Sequence, residues 1–440
     1  MTILAPPKRV LIVGSGEYGS STALSLIKGT YKNHGHLITM LDRSAEPPAM
    51  DAASYDFNKI IRQEYSDEIY ARLAHKAMDL WRTPEWQEHY HETGVVVSIA
   101  KSAVQSDYIK RALAVNSLPG MQTEGKDAYI LETADDVKKV YPDGVALGEF
   151  ADQDSYINEA GGWGHSHGAV VDTIRRLRAA GVRFVGAEAE ELLYGVSKGK
   201  IDVRGVRAKD GSSYCADFVL LTMGAWTPKL VPELASELLP TGQVVGVVKL
   251  NREELKRYKD VPALFLPRGN SYIFPPTEDG IVKCAIHQQG YLNPIGDYRS
   301  LPRTILTPGY ERQHIPQEAA DALKAGLARV YPELAQKPWS NTRLCWYSDR
   351  PSGDWLIDYH PKYPSLFIAA GCCGHAFKFM PILGDLILSS VEGTLPPEQK
   401  AIWAYDHQIF GRVDASRTFY KHKSLVGTVE ALVGALQAKL

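Results

Sequence analysis

The chain has 440 residues, of which 45% are hydrophobic and 23% are charged, and this composition predicts a folded globular protein with a large buried core. Its 49 Lys and Arg nearly balance its 51 Asp and Glu, which argues against a nucleic-acid-binding protein. The five scattered cysteines form neither a C-x-x-C metal pattern nor a disulfide framework, so we expect a reducing compartment and no metal site. The sequence has no apolar run long enough to span a membrane and no signal-peptide pattern, so no membrane association is expected.

The first predicted strand leads directly into a glycine-rich turn. Val10–Val13 is a β-branched and aliphatic run, which is typical of a buried parallel strand. Gly14, Gly16 and Gly19 follow in G-x-G-x-x-G spacing, and 20–27 is predicted to be a helix. The first glycine of such a fingerprint allows a tight turn, the second lets a pyrophosphate approach the backbone, and the third lets helix and strand pack closely. The phosphates would bind at the N-terminus of the helix.

A second predicted strand at 37–41 ends at Asp42. A carboxylate at this place can accept hydrogen bonds from both ribose hydroxyls, and it would repel the 2′-phosphate of NADP. The interval from Gly14 to Asp42 is longer than the usual ~20 residues, which predicts a loop insertion at 32–36. Together these features predict dinucleotide binding rather than a glycine turn without chemical meaning.

Helices and strands continue along the chain without an internal repeat or a low-complexity segment. The predicted elements are a helix at 69–81, a strand at 94–99, a helix starting at Thr133, a helix at 169–180, strands at 182–185 and 218–222 around a β-rich section at 191–214, helices at 252–258 and 316–330, a strand at 366–370 and a helix ending at Ser390. The order of helix and strand predicts a discontinuous cofactor domain (1–90 with 160–235 and 342–400), an inserted substrate domain (91–159 with 236–341) and a C-terminal extension (401–440).

Five separated motifs give the chain a family resemblance. They are the glycine fingerprint, Gly224-Ala225-Trp226, the segment 283–287, the segment 342–361 and the segment 374–379. In this order they resemble the monomeric sarcosine oxidase family of FAD-dependent amine oxidases, whose relatives include pipecolate oxidases, saccharopine oxidases and amadoriases (fructosyl amino acid oxidases). The resemblance implies an α/β plus α+β fold of the DAO and glutathione-reductase-like class. In that fold a discontinuous Rossmann-like FAD-binding domain carries an inserted substrate domain with a mixed β-sheet.

The same resemblance implies that FAD is the cofactor and that Cys345 attaches it covalently through an 8α-S-cysteinyl thioether. Without that context a lone cysteine is most often a small buried hydrophobic residue. The cofactor-binding residues implied beside it are Gly14, Gly16, Gly19, Asp42, Asn58, Lys59, Gly374 and Phe377. Cys372 and Cys373 have no comparable context and are interpreted as packing residues in a tight turn.

Three further residues match positions that sarcosine oxidases place around the flavin and the substrate amine: Lys283, His287 and Tyr272. Together with Tyr347, which is expected to help shape the amine pocket, they are the implied catalytic residues. The lysine there promotes the reaction of reduced flavin with oxygen. A cation about 4 Å from a developing superoxide stabilises it by roughly 4 kcal/mol at a protein-like dielectric constant. The alternatives are a surface lysine on a strand for Lys283 and a hydrogen-bonded core histidine for His287.

Arg62 and Lys378 are implied to bind the substrate carboxylate. A guanidinium holds a carboxylate through two parallel hydrogen bonds, and a second cation fixes its rotation. Without the resemblance, Lys59 and Arg62 would be interpreted as one solvated face of a helix.

The resemblance implies an oxidase of a secondary amino acid, which oxidises a C–N bond to an imine that hydrolyses while oxygen is reduced to hydrogen peroxide. Amadoriases carry Asp-Glu-His where this chain has Ala285-Ile286-His287, which favours the sarcosine and pipecolate pattern. The element Asn58-Lys59-Ile60 instead resembles amadoriases and saccharopine oxidases. A substrate of the saccharopine, pipecolate or sarcosine type is therefore expected, and a fructosyl amino acid is the alternative. A flavin dehydrogenase, an NAD-dependent dehydrogenase and a flavoprotein without catalytic activity are further alternatives.

The chain ends in Ala438-Lys439-Leu440, which resembles the peroxisomal S-K-L address with Ala in place of Ser. We therefore expect a peroxisomal location with an import receptor as partner, and the cytoplasm is the alternative. The other expected partners are a small amino acid and oxygen, and the protein is expected to be a monomer.

Overall fold

The computed structural model describes residues 4–100, 103–197, 199–266, 271–311, 315–405, 422–426 and 428. The C-terminal tripeptide 438–440 lies outside the described residues, as does most of the predicted extension 401–440. Within the described ranges, no helix is both long and apolar enough to cross a membrane.

The described residues form two large sheets, two small sheets and a set of surrounding helices. The strands are β1 (Val10–Val13), β2 (Ile38–Asp42), β3 (Lys59–Ile61), β4 (Tyr90–His91), β5 (Val95–Ala100), β6 (Ala128–Leu131), β7 (Gln153–Asn158), β8 (Gly162–Gly164), β9 (Arg183–Gly186), β10 (Ala189–Ser197), β11 (Lys200–Ala208), β12 (Ser213–Cys215), β13 (Phe218–Leu221), β14 (Leu239–Lys249), β15 (Ala263–Leu266), β16 (Ser271–Ile273), β17 (Ile281–Ile286), β18 (Tyr291–Leu292), β19 (Asn341–Asp349), β20 (Leu356–His360), β21 (Tyr363–Ala370) and β22 (Lys423–Ser424). The helices are α1 (Glu17–Lys28), α2 (Glu68–Trp81), α3 (Ala103–Asn116), α4 (Ala134–Lys139), α5 (Ser166–Ala179), α6 (Thr227–Leu230), α7 (Arg252–Tyr258), α8 (Gln317–Val330), α9 (Pro332–Ala335), α10 (Met380–Val391) and α11 (Pro397–Trp403).

The glycine fingerprint lies in a sheet of the order β20-β21-β13-β1-β2-β9, in which every neighbouring pair except β20–β21 is parallel. Strand β1 is buried along its whole length, as its aliphatic sequence predicted. Helix α1 packs on α10, where a Cβ atom at Gly384 would lie 2.1 Å from the carbonyl oxygen of Ser21. The predicted order of strand, glycine turn, helix and second strand is confirmed, although α1 begins at Glu17, inside the glycine spacing.

The second large sheet has the order β22-β18-β14-β17-β16-β15-β5-β7-β6, and β19 also pairs with β14. Parallel and antiparallel pairs both occur in it, since β5 and β15 are parallel whereas β14 is antiparallel to β17 and β19. A parallel nucleotide-binding sheet combined with a mixed sheet confirms the predicted fold class. The mixed sheet buries one face against a hydrophobic core that includes helix α8.

Three local predictions differ from the structure. The segment 342–349 was assigned to the cofactor domain, but β19 pairs with β14 of the mixed sheet along its whole length. The alternative interpretation of Lys59 and Arg62 as a helix face is wrong, because 59–61 form strand β3. The sequence pattern predicts Lys283 at the end of a strand, whereas it lies within β17.

Candidate active site

The glycine fingerprint forms part of a cleft at the carboxyl end of β1. Gly14 has a φ angle of +102°, and a Cβ atom there would lie 2.5 Å from the carbonyl oxygen of Thr222, so the turn requires glycine. A Cβ atom at Gly19 would lie 2.0 Å from the carbonyl oxygen of Gly14, and its absence lets α1 pack on β1. The cleft is also lined by Gly16, Asp42, Gly224, Ala225, Trp226 and Cys372. Cys372, interpreted from the sequence as a packing residue, therefore faces the cleft.

Asp42 ends β2 at the edge of this cleft. Its Oδ2 accepts a hydrogen bond from the N–H of Ser15 at 2.8 Å, and its Oδ1 accepts one from the N–H of Ser44 at 3.0 Å. Burial raises the pKa of the carboxyl, while these two donors act in the opposite direction. Because two backbone donors fix its orientation at the cleft, Asp42 suits the ribose contact predicted for it.

One face of the mixed sheet carries several of the predicted site residues. On β19, Leu344 and Trp346 belong to the hydrophobic core. Because side chains alternate along a strand, Arg343, Cys345 and Tyr347 lie on the opposite face.

Strand β17 presents Lys283 to the same face. Its neighbours Val282 and Cys284 belong to the hydrophobic core, so Lys283 points away from that core. Val245 of β14 lies opposite both Ala285 of β17 and Arg343 of β19, so the three strands are in register across this face.

Asp56, which was not predicted from the sequence, joins three cations on this face. Lys283 Nζ donates to Asp56 Oδ2 at 2.9 Å and to the carbonyl oxygen of Asn58. Lys59 Nζ lies 3.7 Å from Asp56 Oδ2, and the Arg343 guanidinium lies 3.6 Å from Oδ1. We call Asp56, Lys59, Lys283 and Arg343 the cation cluster.

The charges of the cation cluster shift the pKa values of its members. Burial alone would raise the pKa of Asp56, but the positive charges of Lys283, Arg343 and Lys59 outweigh it and lower the pKa to about 2. Burial lowers the pKa of Lys283 to about 8, although Asp56 opposes this. One carboxylate is therefore balanced against three basic groups, and the cluster favours negative charge on a neighbouring ligand.

The side chain of Asn58 shows that the region suits a polar cofactor. It is fully buried, and neither its Oδ1 nor its Nδ2 has a hydrogen-bond partner among the described residues. A buried amide without partners costs free energy, so a ligand with both donors and acceptors would stabilise it. The pyrimidine edge of an isoalloxazine ring offers both. Cys345 is buried nearby, where it interacts electrostatically with Lys59 and Arg343, so the residues present fit FAD.

Three of the predicted catalytic residues form an aromatic group. The His287 ring centroid lies 5.8 Å from that of Tyr272 and 5.6 Å from that of Tyr347. Gly374 packs against this group, because a Cβ atom there would lie 2.3 Å from Tyr347 Cε2 and 2.7 Å from His287 Cε1. Gly374 therefore borders the aromatic group, in line with its predicted place at the site.

Arg62 and Lys378 meet at Tyr65, and we call these two cations the carboxylate clamp. Lys378 Nζ donates to Tyr65 Oη at 2.7 Å, and Arg62 Cζ lies 5.5 Å from the centroid of the Tyr65 ring. Burial and the neighbouring charge of Arg62 lower the pKa of Lys378 well below its usual value. A bound carboxylate would offset this cost, because it would stabilise the charged form of the lysine.

Glu64 supports the clamp and was not predicted from the sequence. It is fully buried, its carbonyl oxygen accepts a hydrogen bond from Arg62, and its Oε2 lies 3.8 Å from the Arg62 guanidinium. Asn158 donates to its other carboxylate oxygen. Burial raises the pKa of Glu64, and the charge of Arg62 opposes that change. These contacts orient Arg62 toward the site.

The aromatic group and the clamp border one common site. Arg62 Cζ lies 5.6 Å from the centroid of Phe265, which stacks on Tyr272 at 4.7 Å. On the other side, Tyr65 Oη lies 3.2 Å from Nδ1 of His375, the residue after Gly374. The contacts therefore close into a ring of side chains formed by Arg62, Phe265, Tyr272, His287, Tyr347, His375 and Tyr65, in which the backbone of Gly374 links Tyr347 to His375 and Lys378 is joined through Tyr65.

The predicted cofactor residue Phe377 packs against Gly164, the strand partner of Lys59, since a Cβ atom at Gly164 would lie 2.8 Å from Phe377 Cε1. Its ring centroid is 5.4 Å from that of Trp81, and it belongs to the hydrophobic core beside the parallel sheet. Its contact with a cofactor stays a prediction. Among the described residues, no group of His, Cys, Asp and Glu could hold a metal ion.

Three features together define a flavin-dependent oxidoreductase. They are a dinucleotide cleft, the cation cluster beside the unsatisfied amide of Asn58, and the ring of aromatic and basic side chains. The family model described as "FAD dependent oxidoreductase" matches residues 9–389. The chain therefore belongs to this family of FAD-dependent oxidoreductases.

Named relatives confirm the resemblance seen in the motifs. L-saccharopine oxidase of Schizosaccharomyces pombe is 31% identical over 413 residues, covering 90% of this chain and 93% of the relative. Monomeric sarcosine oxidase of Bacillus sp. is 28% identical over 394 residues, covering 86% and 91%. The crystal structure of the deglycating enzyme fructosamine oxidase (Amadoriase II) from Aspergillus fumigatus matches with a TM-score of 0.82 and 27% identity, covering 98% of each chain.

Proposed function

We propose that the protein is an FAD-dependent oxidase of a secondary amino acid of the saccharopine, pipecolate or sarcosine type. The observation that carries this proposal is the ring of side chains in which Arg62 and Lys378 face an aromatic group. Two buried cations suit a carboxylate, and aromatic rings suit the hydrocarbon part of an amino acid. The relatives named after saccharopine and sarcosine, which are secondary amino acids, support the same substrate class.

The proposed cofactor site extends from the cleft to the mixed sheet. Gly14, Gly16, Gly19 and Asp42 would hold the dinucleotide part, and Asn58 and Lys59 would contact the ring system. Cys345 would attach the flavin as a thioether. FAD supplies, when bound, the two-electron acceptor that passes electrons on to oxygen.

The clamp would fix the substrate. Arg62, oriented by Glu64, would hold the carboxylate through two hydrogen bonds, and Lys378 would fix its rotation. His287 lies between Tyr272 and Tyr347, where its neutral imidazole would take the proton that the substrate ammonium loses, so that the nitrogen lone pair is available. Holding the reacting C–H bond in one orientation is the main contribution that we assign to these residues.

Lys283 would promote the reaction with oxygen. Its ammonium group is held by Asp56 at 2.9 Å within the cation cluster. A fixed cation beside the place where superoxide forms stabilises the developing negative charge. Hydrogen peroxide is the final product of the proposed reaction with oxygen.

A fructosyl amino acid is the second candidate substrate, and the fold similarity to an amadoriase favours it. One observation weighs against it. Ala285, where amadoriases carry an acid, lies opposite both Tyr272 and Val245 on the face that carries Lys283. A methyl group at this position offers no hydrogen bond to a sugar hydroxyl.

A substrate panel tests the proposal. Sarcosine, L-pipecolate, L-saccharopine and fructosyl-glycine would be compared by hydrogen peroxide formed per amine consumed and by anaerobic bleaching of the flavin. We expect bleaching and one peroxide per amine with at least one of the first three. Bleaching without peroxide would identify a dehydrogenase, bleaching by fructosyl-glycine alone would identify an amadoriase, and no bleaching by any amine would refute the proposal. Peroxide formation would also suit the peroxisomal location predicted from the C-terminal tripeptide.

A further inference from the structure

Glu17 occupies an unexpected place in the fingerprint. It is the first residue of α1 and follows Gly16 directly. The N-terminus of this helix is where a fingerprint binds the negatively charged pyrophosphate. A carboxylate there would repel the diphosphate, so dinucleotide binding gives no reason for an acid at this position.

The Glu17 side chain is turned into the protein. Glu17 is only 8% exposed and lines the cleft. Its Oε2 is buried without a hydrogen-bond partner among the described residues. Its backbone N–H donates to Ser54 Oγ at 3.2 Å. Burial raises the pKa of the carboxyl although Lys59 and Ser54 oppose this change, so the group binds a proton more readily than an exposed glutamate.

The groups around Glu17 come from three parts of the chain. Tyr18 follows Glu17 in α1, and Cys372 lies just after β21. Ser54 and Asp56 precede β3, and Lys59 is its first residue. Lys59 interacts electrostatically with both Glu17 and Cys345, the proposed attachment point. Glu17 therefore lies on the dinucleotide side of the cation cluster, within electrostatic reach of a flavin ring beside Lys59.

We propose that Glu17 is a redox-linked proton acceptor, which binds one proton when the flavin is reduced and releases it when the flavin is reoxidised. In the reduction, FAD takes two electrons from the substrate and one proton to give the anionic reduced flavin. The added negative charge favours protonation of the nearby carboxylate, so Glu17 takes a second proton from solvent. Reoxidation by oxygen reverses both changes.

Asp56, the other acid in this region, is not suited to that role. Three cations lower its pKa to about 2, so it stays ionised throughout the neutral range. Glu17 has no comparable contact at its buried Oε2. This inference rests on the flavin dependence of the proposed function but not on the identity of the amine.

Potentiometry of the flavin-loaded protein tests the role. The midpoint potential would be measured with a chemical reductant over the neutral pH range for the wild type, Glu17→Gln and Glu17→Asp. Uptake of two protons with two electrons makes the potential fall with pH about twice as steeply as uptake of one proton. We expect the steep slope in the wild type and Glu17→Asp and the shallow slope in Glu17→Gln.

Glu188→Gln is the matched control. Glu188 lines the same cleft, but its carboxylate is held by Lys209 at 2.7 Å and Lys229 at 2.9 Å. This variant should keep the wild-type slope. Equal slopes in the wild type and Glu17→Gln would overturn the inference.

A second measurement needs no variant. Proton uptake during anaerobic reduction of the wild type, followed with a pH indicator, should approach two protons per flavin where the slope is steep. One proton per flavin at every pH would refute the role of Glu17. Because a chemical reductant replaces the substrate, this result is independent of whether any amine is oxidised.

Discussion

Lys283 and Asp56 form a buried ion pair, with Nζ and Oδ2 2.9 Å apart, between residues separated by 227 positions in the sequence. The pair connects β17 of the mixed sheet to the segment just before β3. It therefore fixes the proposed oxygen-activating lysine relative to Asn58 and Lys59.

Replacing Asp56 with Asn should destabilise the protein strongly. The change leaves Lys283, Lys59 and Arg343 close together without their shared counter-charge, and breaking a buried pair typically costs about 3–5 kcal/mol. Urea unfolding of the flavin-loaded protein would measure the loss. Asp79→Asn is the control, since its ion pairs are exposed and should contribute less than about 1 kcal/mol. Equal effects of the two substitutions would contradict the prediction.

The same residue gives a prediction about acid stability. The pKa of Asp56 is lowered from 3.8 to about 2, so its stabilising contribution is fully present above the unfolded value and is lost as the pH falls through about 2. A shift of this size corresponds to about 2 kcal/mol. The difference in unfolding free energy between the wild type and Asp56→Asn should therefore shrink as the pH is lowered below about 4. A constant difference over that range would show that the carboxylate charge is not what stabilises the fold.

Lys283→Met should slow reoxidation of the flavin by oxygen far more than its reduction by substrate. Losing one preorganised electrostatic group costs roughly 100- to 1000-fold in the step that it assists. Stopped-flow measurement of the two half-reactions would separate them. Lys249→Met, on the exposed end of β14, is the control and should change neither. Equal losses in both half-reactions would refute the role assigned to Lys283.

The pKa of Lys283 also sets a pH dependence. Because burial lowers this pKa to about 8, the ammonium group is lost as the pH rises through that value. Reoxidation in the wild type should therefore slow above about pH 8, whereas the slow rate of Lys283→Met should stay flat. A decline of the same size in the variant would assign the titration to another group.

Sequence motifs located most of the site but not its buried acids. The family resemblance predicted Cys345 and Lys283, and alternation along the same strand could have added Arg343, two residues before Cys345. Asp56 and Glu64 gave no such signal. Their roles depend on partners such as Lys283 and Asn158, which are distant in the sequence and meet them only in the folded chain.

The domain boundary near 342 likewise depends on contacts that the local sequence does not reveal. The segment 342–349 carries the motif that is predicted to attach the flavin, so a motif-based assignment places it with the cofactor domain. Its hydrogen bonds instead add it to the mixed sheet beside β14, because strand pairing is decided by tertiary contacts rather than by chemical role.

Replacing Cys345 with Ser should leave FAD extractable by acid from the denatured protein. A thioether survives denaturation, whereas a serine hydroxyl does not add to the flavin ring as a thiolate does. Acid precipitation and the absorbance of the pellet would measure the retained flavin. Cys372→Ser is the matched control, since Cys372 also lines the cleft, and its flavin should stay in the pellet. Flavin retained by Cys345→Ser would place the attachment at another residue, and flavin released from the wild type would show noncovalent binding.

Arg62→Lys should weaken carboxylate binding although it keeps the positive charge. A lysine cannot donate two parallel hydrogen bonds, and the contacts that Glu64 makes with the guanidinium would be lost as well. We expect the Kd of a carboxylate ligand that is not oxidised, measured by the change in the flavin spectrum, to rise roughly 10- to 100-fold, since one charge-assisted hydrogen bond is worth about 1.5–3 kcal/mol. Arg72→Lys on the exposed face of α2, where Arg72 pairs with Glu68, should leave the Kd unchanged. If Arg62→Lys also leaves it unchanged, the carboxylate is bound elsewhere in the ring of side chains and Arg62 only fills space beside Phe265.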